Sequence, residues 1–111
     1  YLDDGLADGR RLLPEGWVAW SATPTLDTSY GAGWWVNRRT RNPPPGRPMV
    51  GMPLMPDVPS DAFYGLGNLG QYIVVVPSAQ LVVVRLGRAH TPNFDLQGMN
   101  RLIAGLIAEL R

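Results

Sequence analysis

The apolar positions of this chain are densest in the stretch Asp61–Leu86, where they follow the pattern of β-strands. Two runs in it, Tyr72–Val76 and Leu81–Leu86, consist almost entirely of β-branched and other apolar residues. Such runs predict strands, and Pro77–Gln80 between them predicts a hairpin connection. An aromatic strand and a glycine-rich turn, Gly65–Gln71, precede the first run. The whole stretch is therefore predicted to form a three-stranded antiparallel meander.

After the meander the apolar period changes to that of a helix, which is predicted from about Phe94 to Arg111. The positions on its apolar stripe are Leu96, Met99, Ile103, Leu106, Ile107 and Leu110. The positions predicted to face away from the stripe are Gln97, Asn100, Arg101 and Glu109. We expect this amphipathic helix to cover one face of the sheet.

The first sixty residues carry shorter patterns. The spacing of apolar residues over Tyr1–Ala7 predicts the last turns of a helix, which the turn signal Asp8-Gly9 ends. A second short helix is predicted from Pro14 to Trp20. The segment Tyr30–Asn37 predicts a strand, and its glycines would let another backbone or a ligand approach closely. The segment Asn42–Ser60 holds seven of the eleven prolines and predicts an irregular loop.

These elements together predict an α+β fold, an antiparallel β-meander with a C-terminal helix packed on one face. The residues Ile73–Val76 are consecutive and apolar, so both faces of that strand favour burial. Burial of one Val or Ile side chain stabilises the fold by roughly 1.5–3 kcal/mol, so a strand face left exposed to water would lose several such contributions. Because the chain offers one clearly amphipathic helix, we expect the layer on the second face to lie outside this chain.

The composition excludes several classes of chemistry within this chain. Its 111 residues fit one domain. Ten basic and nine acidic residues leave a net charge of +1, so the charge gives no indication of nucleic-acid binding. All ten basic residues are Arg, so no lysine base or Schiff base is present. No apolar run reaches transmembrane length, and no signal peptide is visible. The sequence predicts neither a membrane segment nor a nucleic-acid partner.

No cofactor and no metal site are predicted. The chain has no Cys and a single histidine, His90, which excludes a thiolate nucleophile and a multi-histidine metal site. His90 lies in a polar loop before Pro92, where an exposed or capping role is expected. The pair Asp3-Asp4 is expected to be solvated, so no carboxylate pair has a case for acid–base catalysis.

The turn Gly65–Gln71 matches the glycine pattern of dinucleotide-binding loops, in which a strand leads into a helix. Here a strand follows the turn, which argues against that interpretation. A kinase-type glycine loop lies between two strands but requires a lysine, and the chain has none. A glycine-rich hairpin without any ligand remains an open alternative.

Five segments, taken in order, resemble the C-terminal part of the serine β-lactamase-related family. They are Leu13–Val18, Tyr30–Trp35, Phe63–Gln71, Val76–Pro77 and Leu81–Arg85. That family groups class C β-lactamases, penicillin-binding esterases and carboxypeptidases, and 6-aminohexanoate-dimer hydrolases. The resemblance spans essentially the whole chain and depends on the order and spacing of the segments.

The resemblance implies a β-lactamase/transpeptidase-like fold with a helical domain on the second face of the sheet. It also implies an acyl-enzyme on the serine of a Ser-x-x-Lys motif, assisted by the tyrosine of a Tyr-x-Asn motif. The chain contains neither motif. Both precede this region in the family, and the chain begins with Tyr1 rather than Met. We therefore expect residues 1–111 to be the C-terminal portion of a single domain whose N-terminal catalytic portion is missing.

The third motif of the family, Lys-Thr-Gly or His-x-Gly, maps onto Asn68-Leu69-Gly70. Asn68 offers neutral hydrogen bonds where the family has a cationic or imidazole group, which weakens carboxylate recognition. By the resemblance, Gln71 would aim its backbone N–H at the developing oxyanion. Trp34 or Trp35, together with the proline-rich loop, would border the cleft.

The leading expectation is that the parent is a serine hydrolase acting on an ester or amide, β-lactams included, while the chain alone is inactive. Its partners would be the missing N-terminal portion or a second copy of itself, and a small-molecule ester or amide substrate. The alternative is a non-catalytic module of the same fold that binds peptide or peptidoglycan. A third alternative is a general interaction protein. The compartment, periplasmic, secreted or cytoplasmic in a bacterium, is left open.

Overall fold

The computed structural model describes residues 1–43, 52–90 and 95–111, and it has the predicted α+β character. The strands are β1 (Leu6–Ala7), β2 (Arg10–Arg11), β3 (Trp35–Val36), β4 (Phe63–Gly67), β5 (Gln71–Val76) and β6 (Leu81–Arg85). The α-helices are α1 (Trp17–Ser21) and α2 (Leu96–Glu109), and short 3₁₀ turns lie at Thr25–Asp27 and Pro77–Ala79. Within these residues no helix has both the length and the apolarity needed to cross a membrane.

The predicted meander is confirmed as the centre of a four-stranded antiparallel sheet with the order β3-β4-β5-β6. β5 is an inner strand, since it pairs along its length with β4 on one side and β6 on the other. The β5–β6 connection is the predicted one, and it ends at Gln80 in the left-handed region with φ 49°. The first β-hairpin, formed by β1 and β2, is separate from this sheet.

One face of the sheet, called here the helix face, packs against α2. Its buried side chains include Tyr64, Tyr72, Val74 and Val76 from the strands and Met99, Ile103 and Ile107 from the helix. The predicted stripe is therefore confirmed at its centre, although Leu106 and Leu110 are exposed. The predicted start of the helix at Phe94 lies outside the described residues.

Asn100 corrects the prediction for the outer side of α2, because it is buried rather than facing solvent. Its side-chain amide donates to a carboxylate oxygen of Asp57 at 2.6 Å, and its carbonyl oxygen accepts from the Asp57 N–H at 3.0 Å. These two hydrogen bonds attach the end of the proline-rich loop to the helix. A buried polar side chain is tolerated here because its groups are paired.

The prediction of a helix over Tyr1–Ala7 is wrong. Asp4 and Gly5 have φ values of 46° and 80°, which a right-handed helix does not allow, and the chain instead forms a turn and the β1–β2 hairpin. The predicted turn at Asp8-Gly9 is confirmed. α1 begins later than predicted, at Trp17, since Gly16 adopts φ 78° immediately before it.

β3 is shorter than the strand predicted over Tyr30–Asn37, and Gly31 shows why the chain bends before it. A Cβ atom at Gly31 would collide with the carbonyl oxygen of Ser21. The neighbouring Ala32 N–H donates to that same oxygen at 2.9 Å. The close approach of another backbone that the glycines predicted is therefore present, and it fixes the segment before β3 against the end of α1.

The second face of the sheet, called here the open face, is covered in part by the chain itself. Val18 of α1 and Ala22, which directly follows that helix, pack on Phe63 and Val75. The rest of the face carries Ile73, Val82 and Val84, whose side chains are 46%, 46% and 57% exposed. The expectation that the whole second layer lies outside the chain is thus corrected, since α1 supplies a portion of it.

The described end of the proline-rich loop, residues 52–60, contributes to the core, whereas residues 44–51 lie outside the described part. Met55 and Val58 are buried against the helix-face cluster. The Asn37 amide donates to the carbonyl oxygens of Met55 and Val58 at 2.8 and 3.0 Å. The segment is irregular, as predicted, and the Asn37 side chain pairs two of its backbone carbonyl oxygens.

Candidate functional site

The predicted motif Asn68-Leu69-Gly70 forms the tip of the β4–β5 hairpin. The Gly70 N–H donates to the Gly67 carbonyl oxygen at 3.3 Å. Leu69 and Gly70 both have positive φ, 61° and 91°. Glycine adopts this backbone conformation without steric cost, whereas at Leu69 the side chain makes it strained. Asn68 and Leu69 are exposed and Gly70 is buried. The Asn68 side chain is therefore accessible to a ligand.

The segment that follows β6 holds this hairpin tip in place. The Ala89 N–H donates to the Leu69 carbonyl oxygen at 2.8 Å. The Arg85 guanidinium donates to the Gly70 carbonyl oxygen at 2.7 Å. The Gly87 N–H donates to Oε1 of Gln71 at 2.8 Å, and the Gln71 amide donates back to the Gly87 carbonyl oxygen. Three consecutive residues of the tip are thus fixed by residues 85–89.

The direction of the backbone groups along β4 follows from one hydrogen bond. The Asn37 N–H donates to the Ala62 carbonyl oxygen at 3.0 Å, so the polar groups of Ala62 point toward β3. Since the backbone N–H and C=O groups alternate in direction along an antiparallel strand, those of Tyr64 and Leu66 also point toward the β3 side. The backbone groups of the residues between them point toward β5, which agrees with the hydrogen bond from the Gly70 N–H to the Gly67 carbonyl oxygen. These residues are Phe63, Gly65 and Gly67.

This register places Gln71 differently from the sequence prediction. Gln71 pairs with Gly67, whose polar groups point into the hairpin, so the Gln71 N–H is directed at β4 rather than at an open edge. Its strand is also an inner one. The side chain of Gln71 is engaged with Gly87. Gln71 therefore positions the turn, and its N–H does not face a ligand beside the sheet.

The open edge of the sheet lies at Leu66. β3 pairs only with Phe63 and Tyr64, because the chain turns away at Gly33, where φ is 90°. Leu66 is the next residue of β4 whose N–H and C=O point to that side. Among the described residues none hydrogen-bonds these two groups. Within the described part of the chain they form an unpaired donor and acceptor two residues from Asn68, and sequence reasoning missed them.

The two predicted tryptophans lie on opposite faces. Trp34 packs on the open face against Tyr1 and Phe63, with ring centroids 4.9 and 5.1 Å apart, and its ring lies 4.0 Å from the position of a Cβ built on Gly65. Trp35 contacts Tyr30 at 5.0 Å and packs against the helix-face core. Trp34 can therefore border a ligand beside β4, whereas Trp35 supports the core.

A shallow concavity of about 250 Å³ lies beside the hairpin tip. Gly65 and Gly67 contribute to it by having no side chain, and Ile73 and Leu86 form apolar walls. The concavity is small compared with the 300–1,000 Å³ of ordinary ligand sites. It suits one apolar group of a larger ligand rather than a whole small molecule.

Two tyrosines with a shifted pKa, Tyr64 and Tyr72, lie close to the site on the helix face. Burial raises the pKa of Tyr72, and the opposing effect of Arg85 is smaller. Burial also raises the pKa of Tyr64, with a lesser contribution from Tyr72. Both phenols are thus kept neutral at ordinary pH. The Ser78 hydroxyl is exposed and donates to the Asp61 carboxylate at 2.9 Å, away from the tip.

Across residues 1–43, 52–90 and 95–111 no group of three His, Asp or Glu side chains is placed to hold a metal ion. His90 is exposed. The arrangement at the hairpin tip can therefore offer backbone hydrogen bonds, one neutral amide and an apolar wall. No protein-family model matches the chain, and no curated protein matches it at a significant level.

Proposed function

We propose that this chain forms one wall of the acyl-transfer cleft of a β-lactamase-like serine hydrolase, whose nucleophile is supplied by a segment that this sequence does not contain. The substrate is an ester or an amide, which includes β-lactams. Asn68, Leu69 and Gly70 line the cleft at the hairpin tip, and Trp34 borders it from the open face. The chain contributes hydrogen bonds and shape, while the acyl bond forms on the missing serine.

The observation that carries this proposal is the edge of β4 at Leu66, which no described residue pairs. A substrate carbonyl that lies along this edge meets the Leu66 N–H, a fixed donor on a rigid strand. In the proposed enzyme this N–H and the N–H of the nucleophile together form the oxyanion hole. This replaces Gln71 as the donor, because the Gln71 N–H faces β4. One such donor typically lowers the activation barrier by about 3–4 kcal/mol.

The first test uses the chain as it exists. We expect it to hydrolyse neither nitrocefin nor p-nitrophenyl acetate above background, because it holds no activated nucleophile. Turnover that a serine-directed acylating probe abolishes would overturn this expectation. The coding sequence upstream of Tyr1 provides the second test, since the proposal requires a Ser-x-x-Lys and a Tyr-x-Asn motif there.

The role of Leu66 is tested in the longer protein with two substitutions. Leu66→Pro removes the outward N–H without breaking a hydrogen bond to β5, because this N–H points to the open edge. Leu66→Ala shortens the side chain and keeps the N–H. We expect kcat to fall about 10²- to 10³-fold in the first variant and far less in the second. An equal fall in both variants would contradict the assignment.

The same edge also favours a second candidate, a non-catalytic module that binds an extended peptide by adding it as a strand beside β4. The apolar concavity beside the tip would then accept one peptide side chain. The upstream sequence separates the two candidates, because the binding module requires neither catalytic motif. Peptide binding that Leu66→Pro weakens and Leu66→Ala preserves, in a protein lacking both motifs, would support the module.

A further inference from the structure

The first ten residues contain the dipeptide Asp-Gly twice, as Asp4-Gly5 and as Asp8-Gly9. In such a pair the backbone nitrogen of the glycine can attack the side-chain carboxyl of the aspartate, because glycine has no side chain to hinder the approach. The product is a five-membered succinimide ring, which solvent water opens to aspartate or to isoaspartate. The two dipeptides are alike in sequence, but the fold restrains them differently.

Asp4-Gly5 is held on both sides of the peptide bond that would react. Oδ2 of Asp4 accepts from the Gly16 N–H at 3.4 Å and lies 3.8 Å from Nη1 of Arg11. The same guanidinium donates to the Asp4 carbonyl oxygen at 2.8 Å. Gly5 is buried, and its carbonyl oxygen accepts from the Leu12 N–H at 2.8 Å. The Asp4 carboxyl and the peptide group after it must both lose contacts before they react.

Asp8-Gly9 carries no such restraint. The two residues connect β1 to β2 with φ values of 49° and 72°, the positive values of a type I′ hairpin turn. Both are exposed, and a Cβ built on Gly9 meets no atom within 4 Å. Within the described residues the Asp8 carboxylate has neither a hydrogen bond nor an ion pair.

The β1–β2 hairpin that this turn closes is also small. It consists of two residue pairs, Leu6 with Arg11 and Ala7 with Arg10, and it is separate from the four-stranded sheet. A hairpin of this size opens locally at low cost in free energy. Once the turn opens, the Asp8 carboxyl reaches the Gly9 nitrogen without displacing any other contact.

We infer that Asp8-Gly9 is a site of spontaneous succinimide and isoaspartate formation in this chain, and that the contacts of Arg11, Gly16 and Leu12 protect Asp4-Gly5. The Gly9 nitrogen bonds to Cγ of the neutral Asp8 carboxyl, and the hydroxyl of that carboxyl leaves with the amide proton as water. A solvent water then opens the ring. Breaking the new N–Cγ bond restores aspartate, whereas breaking the bond from nitrogen to the main-chain carbonyl carbon gives isoaspartate.

Isoaspartate leads the main chain through Cβ, so the connection between Ala7 and Arg10 becomes one atom longer. A two-residue turn matches the twist of its strands only with its own backbone geometry, so the modified chain loses the β1–β2 pairing. The modification depends neither on the proposed hydrolase nor on what covers the sheet.

The test incubates the 111-residue chain for several weeks at neutral pH and physiological temperature. Trypsin then releases the peptide Tyr1–Arg10, in which electron-transfer dissociation distinguishes isoaspartate from aspartate at each position. We expect isoaspartate to form about tenfold faster at Asp8 than at Asp4, because opening at Asp4 breaks additional hydrogen bonds. In concentrated urea these contacts are absent, and the two rates should become similar.

Two variants provide the controls. Asp8→Glu requires a six-membered ring, which closes far more slowly, so the product at position 8 should disappear while Asp4 behaves as before. Arg11→Ala removes two of the contacts of Asp4 and should raise the rate at Asp4 severalfold. Equal rates at Asp4 and Asp8 in the folded chain would overturn the inference. So would a preference for Asp8 that persists unchanged in urea, or an Arg11→Ala variant in which Asp4 stays as unreactive as in the wild type.

Discussion

Gln71 and Gly87 are joined by two hydrogen bonds of opposite direction, one from the Gly87 N–H to the Gln71 side chain and one from that side chain to the Gly87 carbonyl oxygen. A single side-chain amide therefore satisfies both polar groups of a residue beyond β6. The contact closes a loop of backbone from the start of β5, through β6, to the segment after it. The hairpin tip owes its fixed position to this closure together with the contacts of Arg85 and Ala89.

We predict that Gln71→Ala lowers the free energy of unfolding by about 1–2 kcal/mol, because two hydrogen bonds are lost together. The exposed Gln97 on α2 provides the control, and Gln97→Ala should change stability by no more than about 0.5 kcal/mol. Urea denaturation measures both. Hydrogen exchange at the Ala89 amide should also become faster in Gln71→Ala, and equal stability of the two variants would contradict the proposed clamp.

Asn37 provides a second prediction, because its buried amide serves the backbone of the proline-rich loop. It is 1% exposed, and its carbonyl oxygen accepts from the Met55 N–H at 3.1 Å while its NH₂ serves two carbonyl oxygens. Asn37→Ala leaves these groups buried without partners, so we predict a loss of about 3 kcal/mol. Asn42→Ala removes an exposed amide that donates to Leu26 at 2.9 Å and should cost at most about 1 kcal/mol. Similar losses in chemical denaturation would contradict this account.

The part of the fold that the sequence predicts well is local. β5, β6 and the turn between them follow from β-branched runs and turn residues that are neighbours in the chain. The centre of α2 follows from a helical period whose buried members, Met99 and Ile103, meet the sheet. The helix predicted over the first residues failed because apolar spacing carries no information on the positive φ of Asp4.

The features that the sequence did not predict depend on residues far apart in the chain. Asn100 is buried because Asp57, forty-three positions away, pairs with it. The inward direction of the Gln71 N–H is set by the register of β4, which the contact between Asn37 and Ala62 reveals. The open edge at Leu66 exists because β3 ends early. The hairpin itself was thus predicted correctly, while the direction of its backbone N–H and C=O groups required the register of the strands.

Tyr64 provides a third prediction, because its hydroxyl has no hydrogen-bond partner in the described structure although the residue is fully buried. A buried hydroxyl without a partner costs about 1–3 kcal/mol. Tyr64→Phe removes this group and keeps the ring, so we predict a gain of about 1 kcal/mol or more in the free energy of unfolding. Tyr64→Leu removes the ring and should cost about 1–3 kcal/mol through the cavity it leaves. A Tyr64→Phe variant less stable than the wild type would show that the hydroxyl is paired.

The same residue predicts how stability changes in alkali. Burial raises the pKa of Tyr64 above its ordinary value of 10.0, and burial also raises that of Tyr72. Below pH 10 the phenols are protonated in both states, and their contribution to stability is fully present. Above pH 10 the unfolded chain releases these protons more readily than the folded chain, so the free energy of unfolding falls by up to about 1.4 kcal/mol per pH unit for each proton.

Urea denaturation at a series of pH values from 9 to 11, roughly one unit on either side of the ordinary tyrosine pKa, measures this slope. Tyr64→Phe removes one of the two phenols that have a raised pKa. The free energy of unfolding should therefore fall less steeply above pH 10 than in the wild type, and below pH 10 it should be higher than in the wild type. The two effects share one cause, since the hydroxyl that lacks a partner is also the group that cannot ionise in the folded core. An unchanged slope in Tyr64→Phe would mean that the loss of stability in alkali arises at other groups.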